Sequence, residues 1–576
     1  MQNKKLFYRA GYIFSVVISF DVRGVACPTT SLAEWRECAK QARAQGLRVD
    51  TRPPFSEDEE PLGFAALSHR RRRLHGSTPN KISLTDENNQ NKYNNIKHDI
   101  AKQIDCPHCM FDFSMMEPKR APQNIGLNFT GMTYQNSPSN TLFPPDSQGD
   151  VGPTQYIVAI NNGLRSFNKS DGTFDGVLDV SLASFMGSSD PNVFAADPRI
   201  RYDRRTDRWF ITSGIIPTFA TVRIAIVISD SGIITKNTKW TRFSFIHDQI
   251  PPAGDTGQGA DFPTLAVTEN AVIIGVNYFD IMTGQFLSSS IFVFQKQSLL
   301  SGGPVIATAF RNLLGSTLQP VDDFDNGSPF DYVLGTDDIE NLPTGTNLIM
   351  YRISGSGTAT PTISPPTLIP VLLYANSIPA PHKGNLLEPL ERLDAINARL
   401  NEVHKSNNQM YAIHSLAVNN LGVSSVAGDR DGLRWYQIDV TNPLVPIIVQ
   451  TGTFFDSAAI NPRFFYIPAI MTNVNADMAI ACTTSSLTEY ADALAVGRLS
   501  SDASGTLQAP VLLTNSQSSF NLFLPTDNPP GEWQRWGDYS RISRDVDGLT
   551  MWSIEEFTAS PDNYGVQVTE LLAPAS

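Results

Sequence analysis

A chain of 576 residues with 57 Asp and Glu against 44 Lys and Arg carries a net charge of −13. A surface of that sign excludes a nucleic-acid footprint over the body of the protein and suits cation binding without establishing it. Apolar residues make up 41% of the sequence, enough for a large core, and 39 Gly with 39 Pro predict short elements and frequent turns rather than long helices.

Lys4, Lys5 and Arg9 precede an apolar run from Ala10 to Phe20, too short to span a bilayer and of the length of a signal-peptide core. Gly24-Val25-Ala26 offers small residues for cleavage. Residues 1–26 are therefore expected to be a signal peptide, and the mature chain to be secreted or held in the cell envelope, in the periplasm or on the outer surface. Cys27 follows at once. With Gly24 rather than Leu three residues before it, a lipid anchor there is the minor alternative. No later stretch approaches the roughly 18 uninterrupted apolar residues of a membrane span.

Residues 27–125 differ from the rest. Ser31 to Gln45 is a candidate helix, with Leu32, Trp35, Cys38 and Ala42 at helical spacing. A Pro-rich acidic stretch, the basic run Arg70 to Arg73 and an Asn-rich run follow, a composition that predicts little order. The arginines are expected to be a solvated charge run, ahead of a processing site or an anionic-surface contact. Cys27 with Cys38, and Cys106 with Cys109, are disulfide candidates in an exported chain. Cys106-Pro107-His108-Cys109 lacks the βαβ context of a redox dithiol and has too few ligands for a structural zinc site. Cys482, within an apolar run, is expected to be a buried small hydrophobe.

From 126 to 576 the texture becomes short apolar strands bounded by Gly, Pro, Asn and Asp. Strand-leading aspartates recur at Asp150, Asp197, Asp261, Asp331, Asp394 and Asp538, and Ile467-Pro468-Ala469-Ile470 stands as an acid-free unit in the long last gap. Each unit continues through a polar turn into a second apolar strand, as at Trp209 to Ser213 or Met478 to Cys482. Seven units of about 65 residues predict an all-β fold, a seven-bladed propeller of four-stranded blades, ahead of two stacked sandwiches. Leu386 to Val403 is expected to be the one helix that interrupts it, and residues 355–370 a loop.

Pro144-Pro145-Asp146-Ser147-Gln148-Gly149-Asp150-Val151-Gly152-Pro153 resembles a family of exported bacterial proteins of largely unassigned function. So do Asp197-Pro198-Arg199 with Tyr202-Asp203 and Arg208-Trp209-Phe210, Asp261-Phe262-Pro263, Gly432-Leu433-Arg434-Trp435-Tyr436, and Arg535-Trp536-Gly537-Asp538-Tyr539-Ser540. The resemblance covers residues 128–576 and implies a secreted, propeller-like domain without agreed catalytic residues. The N-terminal hundred residues lie outside it, and the family's usual cysteine-bearing loops are absent.

If the strand-leading acids converge, Asp150, Asp197, Asp261, Asp394 and Asp538, with Arg535 and Trp536, are the ligand-binding candidates. The competing expectation is that acids repeated in nearly every blade serve the architecture, accepting backbone N–H bonds at strand entries. Asp429 and Asp431, and Asp545 and Asp547, alternate before Gly as calcium ligands do, but the later oxygen ligands are missing and hairpin turns are favoured. Ser543 to Trp552 also resembles the aspartate-box turn of sialidase-type propellers, a surface hairpin without a catalytic part. Sialidase chemistry would need three arginines and a tyrosine, and Arg199, Arg208, Arg434 and Arg535 qualify by type alone. No nucleophile elbow, zincin, Walker or dinucleotide motif occurs in the sequence.

The expected function is therefore that of an exported, monomeric, non-catalytic propeller that binds a protein or glycan through loops on one face, with Ca²⁺ as the cofactor its acids would suit. The alternative is a sialidase-like glycoside hydrolase or lyase using acids at the centre.

Overall fold

The computed structural model describes residues 123–573 apart from 140–141, 191–192, 217–221 and 523–532, together with the backbone of a hairpin at Phe7–Arg9 and Tyr12–Phe14. The remaining residues of the expected signal peptide, the candidate helix at Ser31 to Gln45, the four disulfide-candidate cysteines and the arginine run lie outside the described residues.

Seven antiparallel sheets follow one another in chain order. Their inner strands are Gln148–Val151, Phe194–Asp203, Gln258–Val267, Ser316–Pro320, Glu402–Ser406, Phe464–Thr472 and Arg541–Arg544, which open blades 1 to 7, and in blade 5 the two-residue Asp322–Asp323 adds in parallel inside Glu402–Ser406. Neighbouring inner strands touch in that sequence, and the last touches the first, so the ring closes. Blade 7 is completed by the start of the domain: Asn124–Thr133 pairs antiparallel with Asn563–Leu572 as its outermost strand. That seam ties the two ends of the propeller together and leaves no open sheet interface around the ring.

Middle strands such as Ala271–Asp280 and Met478–Ser486 are buried almost throughout. They read as continuous apolar runs because both of their faces meet a neighbouring blade. A separate apolar cluster fills each interface. Ile200, Trp209 and Ile211 pack with Ile157 and Leu164 between blades 1 and 2, and Tyr411 and Trp435 with Ile470 and Ile480 between blades 5 and 6. Cys482 is buried and free in the latter cluster, as expected.

Three details depart from the sequence expectation. Leu386 to Val403 is not a helix: turns lead to Arg392–Leu393, an extended segment, and the inner strand of blade 5. Leu393, Ala395 and Leu400 bury themselves singly from non-helical backbone, between exposed Leu386, Leu387 and Leu390 on one side and the blade 5 strand on the other. Within 355–370, Thr362–Ile363 and the start of Thr367–Ala375 are outer strands of blade 4 rather than loop. Asp331 opens the second strand of blade 4, not the first.

The feature that does recur is a bulge. In blades 2, 3, 4 and 6 the innermost strand slips register at Asp197-Pro198, Phe262-Pro263, Thr317-Leu318 and Ile467-Pro468. The first residue of each pair has φ between 47° and 56°, the left-handed region. A bulge leaves its extra residue outside the ladder, which is why proline, lacking an N–H, is tolerated at three of the four. The N–H of the left-handed residue is met each time by a side chain of the preceding blade. Asp197 donates to Asn161 Oδ1 (2.8 Å), Phe262 to Asp197 Oδ2 (3.2 Å), Thr317 to Asn277 Oδ1 (3.0 Å) and Ile467 to Ser415 Oγ (3.1 Å). These bonds clasp blade to blade. Ser415→Ala should cost about 1–2 kcal/mol, the penalty of one orphaned buried donor, and a denaturant midpoint equal to wild type would contradict the clasp.

Candidate functional site

The innermost strands carry polar and charged residues where the middle strands are apolar, and these side chains fill the axis in three tiers.

At the bulge side, Phe262 lies under two guanidinium groups, Arg199 at 5.1 Å and Arg399 at 4.4 Å from its ring centre. Arg199 also stacks 3.3 Å over Tyr539, whose hydroxyl donates to the Pro198 carbonyl (3.1 Å). Arg535 reaches Asp394 (2.8 Å) and Asp538 (2.6 Å). Asp146 accepts from the Asp538 N–H (2.8 Å) and from Asn161 Nδ2 (2.7 Å). Arg399 pairs with Glu340 at 2.7 Å. Burial, then the negative charge of Asp538, pushes the Asp146 carboxyl up to about 6. Burial with Asp261, Asp146 and Asp538 nearby raises Asp197 well above the usual carboxylate range. Burial alone would lower Arg535, but Asp538 and Asp394 hold it above the ordinary arginine value.

In the middle tier Arg541 of blade 7 contacts Glu402 (2.9 Å), Asp150 (3.1 Å) and Asp322 (3.2 Å), from blade 5, blade 1 and the blade 4–5 connection. Arg201 of blade 2 joins Asp322 at 2.6 Å. All five side chains are buried or nearly so, and burial pushes Glu402 up to about 7. At the turn side Phe324 lies beneath Arg544 (4.0 Å) and Arg204 (5.5 Å), with His404 edge-on at 6.2 Å. Beside this tier a cleft of about 370 Å³ is lined by Glu269, Asp323, Asp325, Phe330 and Asp331 among others. Lys405 satisfies Asp323 (3.1 Å) and Asp325 (2.7 Å) next to it.

Of the sequence candidates, Asp197, Asp394, Arg535 and Asp538 meet in the bulge-side tier, with half-buried Asp261 close to Asp197. Asp150 lies one tier below. Trp536 points away into the core against Phe520, its Nε1 donating to Thr483 Oγ1 (3.2 Å). Sequence reasoning missed Asp146, Arg201, Asp322, Arg399, Glu402 and Arg541. The available signal was charge inside otherwise apolar inner strands, as in Glu402-Val403-His404-Lys405 and Arg541-Ile542-Ser543-Arg544.

The paired acids behave differently. Asp429 is exposed and engages Arg430 (2.8 Å), while Asp431 is buried and accepts the Ile378 N–H (3.0 Å). Asp545 takes an ion pair from Lys169 (2.6 Å) and the indole N–H of Trp552 (2.9 Å), and Asp547 caps its own turn through the Leu549 and Thr550 N–H groups. Among the described residues no three His, Cys, Asp or Glu side chains are grouped to hold a metal ion. Since each acid already has a protein partner, a chelator is expected to leave the melting temperature unchanged. A fall of several degrees would show an ion held here, because an ion bound only by the folded form must stabilise it.

These features define a seven-bladed β-propeller with a side-chain-filled axis. No family model matches the chain, and no curated protein does. Among solved structures, it is similar to a variant of the Synechocystis apocarotenoid oxygenase, at 12% identity over 66% of this chain and 74% of that one, with a TM-score of 0.36. It is similar to the Hadza microbial sialidase Hz136 at 10% identity over 73% and 74% (TM-score 0.34), and to a protein of unknown function from Dyadobacter fermentans at 12% over 66% and 95% (TM-score 0.28). Likeness at this level carries neither activity to this chain.

Proposed function

We propose that this protein is an exported, non-catalytic propeller that binds a protein ligand through the bulge-side loops of blades 4 to 6. The observation that carries this reading is the apolar surface of those loops. Leu386 in the blade 4–5 connection is 75% exposed, Leu421 in the blade 5 loop 73%, and Ile460 in the blade 5–6 connection 80%, with Leu342, Val423, Val426 and Leu487 also exposed around them. The loops interlock. Arg430 Nη1 donates to the Asp456 and Ala458 carbonyls (both 2.6 Å), the Lys383 N–H to Glu489 O (2.9 Å), and Leu386 N–H to Asn521 Oδ1 (3.1 Å). Large apolar side chains exposed on bonded loops of one face suit a protein-binding surface.

The axial acids support the non-catalytic part. Of the arginines that sialidase chemistry could draw on, Arg535 is held by Asp394 and Asp538, while Arg199, Arg208 and Arg434 donate to backbone carbonyls, as Tyr539 does. The Asp146 carboxyl, pushed up to about 6 by burial and by the charge of Asp538 beside it, is the one observation favouring the glycosidase alternative. Two assays separate the readings. Leu421→Glu with Ile460→Glu should abolish binding on protein arrays while the melting temperature holds, and unchanged array binding would refute the loop face. Loss of hydrolysis on a glycan panel in a correctly folded Asp538→Asn variant would establish catalysis instead.

A further inference from the structure

The turn-side tier of the axis differs from the other two in its charge pairing. The Arg541 and Arg535 guanidinium groups each touch two or more carboxylates. Among the described residues Arg204 and Arg544 touch none: Arg204 Nη2 donates to the Arg544 carbonyl, and Arg544 donates through Nε to the Thr472 carbonyl (2.7 Å) and through Nη2 to Thr472 Oγ1 (3.5 Å). Those bonds leave further N–H groups of both forks without a protein acceptor. Of the acids that attract them from farther off, Asp150 is committed to Arg541, Asp545 to Lys169 and Asp325 to Lys405, and Asp547 accepts the N–H groups of its own turn. Both guanidinium groups nevertheless share one aromatic ring, Phe324, which is only partly buried, and Arg204 is likewise part exposed. Burial and then repulsion by Arg204 lower Arg544 to about 9, which is the electrostatic signature of two like charges without a counter-ion.

We propose that this mouth of the axis is an oxyanion-binding site, in which Arg204 and Arg544 hold a carboxylate, phosphate or sulfate group against the Phe324 ring. Planar guanidinium forks match such groups geometrically, and an anion there would relieve the repulsion that the protein's own acids leave uncompensated. The site lies on the opposite side of the ring from the apolar loop face, so the two can be occupied together and tested apart.

Calorimetric titration of the full chain with inorganic phosphate and, separately, with glucuronate, against chloride at matched ionic strength, tests the proposal and tells phosphate from carboxylate. Saturable binding of at least one is expected, weakened about tenfold or more in Arg204→Gln by loss of a charge-assisted contact, and unchanged in Arg165→Gln, whose arginine pairs with Asp179 in the outer part of blade 1. Arg544→Lys, which keeps the charge and removes the fork, should weaken binding as well and serves if Arg204→Gln folds poorly. No saturable binding of either anion, or wild-type affinity in folded variants, overturns the site.

Discussion

Replacing Arg541 with Met is expected to destabilise the propeller by about 3–5 kcal/mol, the cost of stripping a buried ion network of its central partner. Arg541 is the one side chain that joins blade 7 to Asp150, Asp322 and Glu402 across the axis, and it is buried with all three. Arg201 reaches only Asp322 and does not replace it at Asp150. Methionine fills much of the same volume, so the loss reports charge rather than a cavity. The denaturant midpoint is the measurement. The change should be less than additive with Glu402→Gln, because that second substitution removes one of the charges left stranded. A midpoint within about 0.5 kcal/mol of wild type would show that the network contributes specificity without stability.

The same tier explains what the sequence could and could not disclose. Blade count followed from the period of strand-leading aspartates, each with an apolar second strand behind it; that strand is legible because one sandwiched between blades has to be apolar on both faces, as Ala271–Asp280 is. The aspartates marking that spacing were a mixed set. Of them Asp197 sits at a left-handed residue and takes part in inter-blade bonds; in blade 1 Asp146, outside the marking set, is the left-handed residue with such a bond, whereas Asp150 belongs four residues further along the chain, in the Arg541 network. Asp331 and Asp394 open no innermost strand at all. A better marker would have been the bulge itself, visible as Asp197-Pro198, Phe262-Pro263 and Ile467-Pro468, but Thr317-Leu318 makes the same bulge without proline. Backbone geometry, not residue type, is what repeats. Which arginine meets which acid across the axis was illegible for a different reason: Arg541 and Asp150 are 391 positions apart, and only closure of the ring brings them together.

Closure by the outer strand Asn124–Thr133 bears on how the two faces work. On the binding reading proposed above, Leu386, Leu421 and Ile460 stand on loops whose backbones are bonded to neighbouring segments, which fixes the frame that would meet a partner. Preorganisation of that kind lowers the ordering cost of association. The filled axis adds to it, since tiers of ion pairs between non-adjacent blades resist the splaying that would move the loops apart.

Glu402 supplies the second large effect, in pH rather than sequence space. Burial pushes its carboxyl up to about 7, from an ordinary value of 4.5, despite the pull of Arg541 and Arg201. A carboxyl raised in the folded state binds its proton more tightly there than in the unfolded chain. Its contribution to stability is therefore complete below pH 4.5, declines as pH rises, and is lost once pH passes about 7. Glutamine at 402 mimics the protonated form and does not titrate. The stability of Glu402→Gln minus that of wild type should thus increase between those two pH values, by up to about 3 kcal/mol if the full shift is expressed. Taking the difference matters, because other groups titrate in the same window. Asp146 is raised to about 6, while His247 and His382 are lowered to about 4 by burial, and these push the wild-type curve in opposite directions. They are present in both proteins and cancel. A flat difference curve would mean that Glu402 holds its proton equally well folded and unfolded, and a falling one that the ion pair with Arg541 outweighs its burial.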